Sequence, residues 1–354
     1  METQGIAKMK LSTLLIALGF ATLSLTVWEL YCRSEQYQIA PSDDKDLWSH
    51  QRAKVDKLTQ EDIVIIGSSR AMFNFQLDEW EKEQGNKPIN IAAAGSTVLP
   101  VFKDIVNNSQ FNGTLIVGVT PPLYWAPQSP DVIPFNRIQK WVNHYHKRTY
   151  ADKFNHFIAK NGPQKAFSFL TTSNERFYNE LDLRSLIERI PTAKRIPDLP
   201  PFPILYQVND DRNAKLMPQV ATDTNYANEI TTFWSTVLTP PTNSKISSEI
   251  IDDNRKTITK ETAELVQKLK NRGGKVIFVR CPSQNKVREI EKTYFPRNTY
   301  WDDLVSSSGV PAYHFEDYPF MDKYTLPEWS HLSTSDAKSF TKDFVNQLIK
   351  DKLL

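Results

Sequence analysis

Residues 63–75 read IVIIGSSRAMFNF: four β-branched residues, then Gly-Ser-Ser, then an arginine. A β-branched run without polar alternation suits a strand covered on both faces, the usual state of a strand in a parallel sheet. Glycine then permits a tight turn, and serine is a favoured residue at the start of a helix. The stretch therefore reads as a buried strand turning directly into a helix. It also carries two hydroxyls where a turn needs one.

The same pattern recurs outward from this point. After the first strand, at Asp62 to Ile66, short apolar runs follow at PINIAAAG (88–95), TLIVGV (114–119), GKVIFVR (274–280) and PAYHF (311–315). Helical stretches lie between them, among them STVLPVFKDIVNNSQ (96–110) and ISSEIIDDNRKTITKETAELVQKLKNRGG (246–274), the latter closing on a Gly-Gly stop. Strand and helix in alternation predict an α/β fold: a parallel sheet of about five strands with helices on both sides. Residues 121–243 break the alternation. They are rich in Pro, Trp, Tyr and Phe, with amphipathic pieces at 136–161 and 179–190 separated by PTAKRIPDLPPFPILYQ (191–207). This part reads as a largely helical insertion within one domain spanning 60–350, because the strands that flank it belong to one sheet.

The chain has 354 residues, 40% hydrophobic and 24% charged, which is globular in class. Its 43 basic and 41 acidic residues leave +2, so it lacks the strong positive field of a nucleic-acid binder. Between Lys10 and Glu29 lie eighteen uncharged residues, LSTLLIALGFATLSLTVW. At about 1.5 Å per residue they reach roughly 27 Å, close to the hydrocarbon thickness of a bilayer. Two readings compete, a cleaved signal peptide and a retained anchor over residues 11–31. No small-x-small cleavage site surrounds Val27, and Trp28 and Tyr31 sit where interfacial aromatics belong, which favours the anchor. Lys8 and Lys10 then place residues 1–10 in the cytoplasm and everything after about residue 32 outside, in a single-pass arrangement. Residues 32–59 are polar and read as a tether leading into a short helix. Cys32 and Cys281 form no disulfide framework.

In an open parallel sheet, function collects in the loops beyond the carboxyl ends of the strands, where Gly67-Ser68-Ser69 lies. Near the other end of the chain, LPEWSHLSTSDAKSF (326–340) places Glu328 three residues before His331, on a loop entering a helix. A carboxylate at that spacing can accept from the imidazole Nδ1–H and leave Nε2 facing outward, the orientation a general base for a serine requires. The plain alternative is a helix-capping serine and a surface histidine. The other histidines, at 50, 144, 146, 156 and 314, lack such a setting. His144 and His146 read as one helix face, and no metal site is expected.

With these residues in hand, the chain resembles the SGNH (GDSL-like) hydrolase superfamily, in particular its membrane-anchored polysaccharide O-acyltransferase and DltD-like group. The first block matches as GSSR with Ser69 as nucleophile and Ser68 in place of the usual Asp. The second matches as NIAAAG, with Asn90 and the oxyanion-hole Gly95. The last matches as EWSH, with Glu328 and His331. The third block departs: in place of Gly-x-Asn the chain has Gly118-Val119-Thr120 before Pro121-Pro122. Thr120 is then the candidate third oxyanion donor, alongside the amides of Ser69 and Gly95.

The resemblance implies a flavodoxin-like three-layer α/β/α sandwich and a serine enzyme needing no metal or organic cofactor. It further implies an extracytoplasmic O-acyltransferase that moves an acetyl or similar group onto a cell-envelope polysaccharide, alongside a polytopic MBOAT acyltransferase. An esterase of the same glycan shares every residue named, and a silent glycan-binding or scaffold partner is the reading that the missing Asn favours. Arg70 and Arg280 either meet an acidic substrate or form structural ion pairs. Tyr124, Trp125 and Trp141 either stack on sugars or pack inside.

Overall fold

A computed structural model describes residues 11–34, 39–170, 203–238 and 247–354. Its strands are β1 (Ile63–Ile66), β2 (Ile89–Asn90), β3 (Thr114–Gly118), β4 (Tyr206–Val208), β5 (Ala214–Leu216), β6 (Lys275–Arg280) and β7 (Ala312–His314). Five of them form one sheet in the order β2-β1-β3-β6-β7, and every neighbouring pair is parallel. Helices make up most of the remaining described chain, so the α/β expectation holds.

The pleat explains why no strand alternates polar with apolar. Ile63, Ile65, Ile116, Ile277 and Val279 point into one core, while Val64, Ile66, Leu115, Val117, Val276 and Phe278 point into another. The helices Ser69–Asn74, Leu77–Gln84 and Thr334–Lys350 close the first core with Met72, Phe73, Trp80, Phe340 and Phe344. The helices Leu99–Asn108, Ser248–Asn271 and Arg297–Ser308 close the second with Phe102, Ile105, Leu265, Val266 and Leu304. Each such side chain contributes about 1.5–3 kcal/mol by leaving water.

Two expectations change. The supposed tether contains the helix Lys45–Val55, which belongs to the second core: Trp48 is fully buried there and its indole N–H donates to the Ile91 carbonyl at 2.9 Å. Arg52 of the same helix is buried against Asp104 at 2.5 Å and Asp56 at 2.7 Å. A single tryptophan among polar neighbours carried too little periodicity to signal this. The insertion is helical at Ile133–Lys147, Tyr150–Asn161 and Thr224–Val237, but it also holds the antiparallel hairpin β4–β5. Its residues enter both cores, Ile138 and Trp141 on one side and Tyr206, Leu216 and Ile230 on the other. The expected helix at 179–190 lies outside the described residues. His144 and His146 use Nε2 on Asp46 (2.7 Å) and Asp104 (2.5 Å), which joins their helix to the neighbouring elements.

The helix Leu11–Ser34 has 24 residues and a mean hydropathy of 1.8, and its leucines, Ile16 and Phe20 face outward. At about 1.5 Å per residue it spans about 36 Å, long and apolar enough to cross a membrane. Near its end, Glu29 accepts from the amides of Ser168 (3.0 Å) and Phe169 (3.1 Å), which fixes the helix to the domain. Cys32 and Cys281 are buried free thiols.

Candidate active site

β1 ends at Ile66, and the turn that follows depends on Gly67. Its φ is +145°, and a Cβ there would lie 2.8 Å from the Ala71 Cβ and 3.0 Å from the Gly118 carbonyl oxygen. Only glycine lets the chain pass the end of β3 and enter the helix Ser69–Asn74. Ser68 occupies the cap position without capping, and its buried hydroxyl has no partner among the described residues. Ser69 is the first helical residue and is half-buried.

His331 reaches Ser69 from 262 positions away. Its Nε2 lies 2.7 Å from the Ser69 Oγ, and its Nδ1 lies 2.9 Å from Glu328 Oε1. The loop that carries both residues is wound tightly: Trp329 has φ +73°, and Glu328 Oε1 also accepts from the amides of His331 (2.5 Å) and Ser330 (3.3 Å). Gln284 pins the loop by accepting from the Leu326 amide at 2.9 Å and donating to the Tyr324 carbonyl at 2.6 Å. The Phe73 ring packs on the imidazole at 4.7 Å between centroids. A positive φ at tryptophan costs energy, and here it turns the carboxylate back onto its own histidine.

Glu328 is fully buried. Burial pushes its carboxyl upward, but the His331 imidazole and the donors around it outweigh that, so it sits below the ordinary carboxylate range. One of those donors was not legible in the sequence: the Trp234 indole N–H, from the helix Thr224–Val237, donates to Glu328 Oε2 at 2.6 Å. Both carboxylate oxygens are thereby held. Nothing in the local sequence around Trp234 announces this contact.

Gly95 follows β2, beside β1, in a left-handed conformation with φ +61°. Among the described residues neither its amide nor that of Ser69 has an acceptor. Asn90 is buried, with Nδ2 facing the Ala71 and Met72 carbonyls at 3.4 and 3.5 Å, so it ties β2 to the helix that begins at Ser69. Thr120 follows β3 at the same end of the sheet. Its carbonyl caps the short helix Pro121–Tyr124, while its side chain makes no cap hydrogen bond.

Five weaker candidates move away from substrate. Arg70 and Arg280 are buried and flank Glu291, at 2.8 and 2.6 Å, and the Arg70 Nε donates to the Ser330 hydroxyl at 3.1 Å. They form a structural ion cluster beneath the histidine loop, with Ser283 donating to the same carboxylate. Tyr124 and Trp125 are 2% and 4% exposed and hydrogen-bond to Thr262 (3.1 Å) and Thr259 (3.3 Å), which places them inside the second core rather than on a sugar-binding face. Trp141 is likewise buried there, tilted against Trp48. Proline-flanked aromatics look alike in sequence whether they face a cleft or a core.

The arrangement can deprotonate a hydroxyl and stabilise the resulting imidazolium. No protein-family model matches the chain, and no curated protein matches it.

Proposed function

We propose that this chain is a membrane-anchored serine enzyme of the SGNH hydrolase type that handles O-acyl esters on a cell-envelope polysaccharide. The observation that carries the reading is the continuous line Ser69 Oγ, His331 Nε2, His331 Nδ1, Glu328 Oε1, with links of 2.7 and 2.9 Å. A flavodoxin-like three-layer sandwich accords with the sheet order, because counting the five sheet strands along the chain gives 2-1-3-4-5.

In the proposed reaction the Ser69 Oγ attacks the ester carbonyl while its proton passes to His331 Nε2. The carbonyl π electrons move to oxygen, and the amides of Ser69 and Gly95, with the Thr120 hydroxyl, hold that oxyanion. The intermediate collapses, the leaving alcohol takes the proton from His331, and the acyl group stays on Ser69. A glycan hydroxyl, deprotonated by His331, then attacks the acyl-serine; as the bond to Ser69 Oγ breaks, that oxygen takes the proton back from His331 and the glycan carries the acyl group away. Water in the same place gives hydrolysis. Glu328 keeps the imidazole in the Nδ1–H tautomer throughout.

Transfer is favoured over hydrolysis by the apolar helix Leu11–Ser34, which would hold the domain beside a membrane-bound donor such as an MBOAT acyltransferase, with the domain on the extracytoplasmic side. The test is covalent labelling of the detergent-solubilised full chain with a fluorophosphonate. Ser69 is the expected site, Ser69→Ala abolishes labelling and Ser68→Ala weakens it. Equal labelling of Ser69→Ala ends the assignment. A folded wild-type chain that does not label supports the silent-scaffold reading instead.

A further inference from the structure

The helix Ile133–Lys147 carries a guanidinium beside Gly95. The Arg137 Nη1 lies 3.5 Å from where a Cβ on Gly95 would stand, and the Thr97 amide donates to the Pro134 carbonyl at 3.2 Å, so the start of this helix is fixed to the loop just after Gly95. Gly95 is exposed, whereas the Arg137 Nε is buried without a hydrogen-bond partner. The guanidinium lies 5.7 Å from the centre of the Trp141 ring, one turn along the same helix.

It lacks both a counter-charge and a hydrogen-bond acceptor among the described residues, whereas Arg148 and Arg272, which also pair with no carboxylate, donate to backbone carbonyls. Arg52, Arg70, Arg212, Arg255 and Arg280 each pair with a carboxylate, and on the helix of Arg137 the acidic partners Asp46 and Asp104 go to His144 and His146. Among the described residues Arg137 pairs with none. A half-buried guanidinium near the face of an aromatic ring and beside a backbone turn is a fork suited to a planar or tetrahedral anion.

Resting on the reading of Ser69 as nucleophile, the geometry points to Arg137 as a specificity residue that binds an anionic group, carboxylate or phosphate, carried by the substrate close to the reacting ester. The polysaccharide acted on is then an acidic one. Charge-assisted hydrogen bonds of this kind are worth about 10- to 100-fold in affinity.

Two activated esters of similar reactivity separate the possibilities: neutral 4-nitrophenyl acetate and 3-acetoxy-4-nitrobenzoate, which carries a carboxylate. In the full chain, Arg137→Gln is expected to lower the anionic-to-neutral ratio of kcat/KM by about 10- to 100-fold, mainly through KM for the anionic ester. Arg137→Lys keeps part of the preference. Methyl glucuronide and glycerol phosphate, tested as competitive inhibitors, distinguish a carboxylate from a phosphate source, and methyl glucoside is the neutral control. An unchanged ratio in Arg137→Gln overturns the proposal. So does an equal fall in kcat for both esters, which assigns the guanidinium to the oxyanion instead. If the wild type turns over neither ester, the reading of Ser69 fails separately. Calorimetric titration of Ser69→Ala with the same three compounds, with and without Arg137→Gln, then still decides whether Arg137 binds anions, and binding indifferent to Arg137 refutes it.

Discussion

Replacing Trp234 by Phe removes the indole N–H that reaches the site together with part of the ring system. The ring keeps its place beside Phe233 and His331, but the indole N–H that donates to Glu328 Oε2 at 2.6 Å is gone. Glu328 is fully buried, so no water replaces the donor without rearrangement, and an unsatisfied buried charged acceptor costs about 1–3 kcal/mol. If the carboxylate answers by rotating away from His331 Nδ1, that energy is lost from the step in which the imidazolium forms. At about 1.4 kcal/mol per tenfold change, fluorophosphonate labelling of Ser69 should slow by about 5- to 100-fold. The thermal midpoint should fall by about 2–10 °C for a domain of this size. The assay is the pseudo-first-order labelling rate on folded protein, with circular dichroism on the same sample. A wild-type rate in well-folded Trp234→Phe would show that Glu328 is held adequately by its backbone donors and that Trp234 only packs.

Thr120→Val keeps the shape of the oxyanion region and removes a hydroxyl; turnover of an activated ester should drop about 10- to 1000-fold in kcat with little change in KM, and an unchanged kcat would move the third donor elsewhere. For Glu291, burial raises the carboxyl, but Arg280 and Arg70 outweigh it and hold it down at about 2 from an ordinary 4.5. Its stabilisation is therefore complete above pH 4.5 and lost as the pH falls toward 2. Glu291→Gln, which strands two buried arginines, should cost about 3–5 kcal/mol in urea unfolding at pH 7, with the difference from wild type shrinking through that acid window. The helix Leu11–Ser34 should keep the chain in membranes through a carbonate wash, and a reporter fused after Leu354 should work only outside the cytoplasm; a shortened soluble chain would show cleavage.

Elements governed by neighbours in the chain are legible in the sequence alone. The β-branched run of β1, the two-sided burial of the other strands, the apolar helix Leu11–Ser34 and the three-residue spacing of Glu328 and His331 all depend on periodicities of a few residues. What depends on distant segments is not. Ser69 meets His331 across 262 positions, and only the order β2-β1-β3-β6-β7 brings their loops to one edge. Trp48 and the pair Tyr124 and Trp125 have sequence surroundings that fit a surface as well as a core, because burial is decided by what packs against them. Arg70 and Arg280 become structural through Glu291, whereas Arg137, an arginine no different in its sequence setting, is left without a carboxylate among the described residues. Residue type and short-range spacing determine which chemistry a side chain can perform; the partner it meets is a property of the folded chain, where a charge or a donor is used up or left free according to which elements pack beside it.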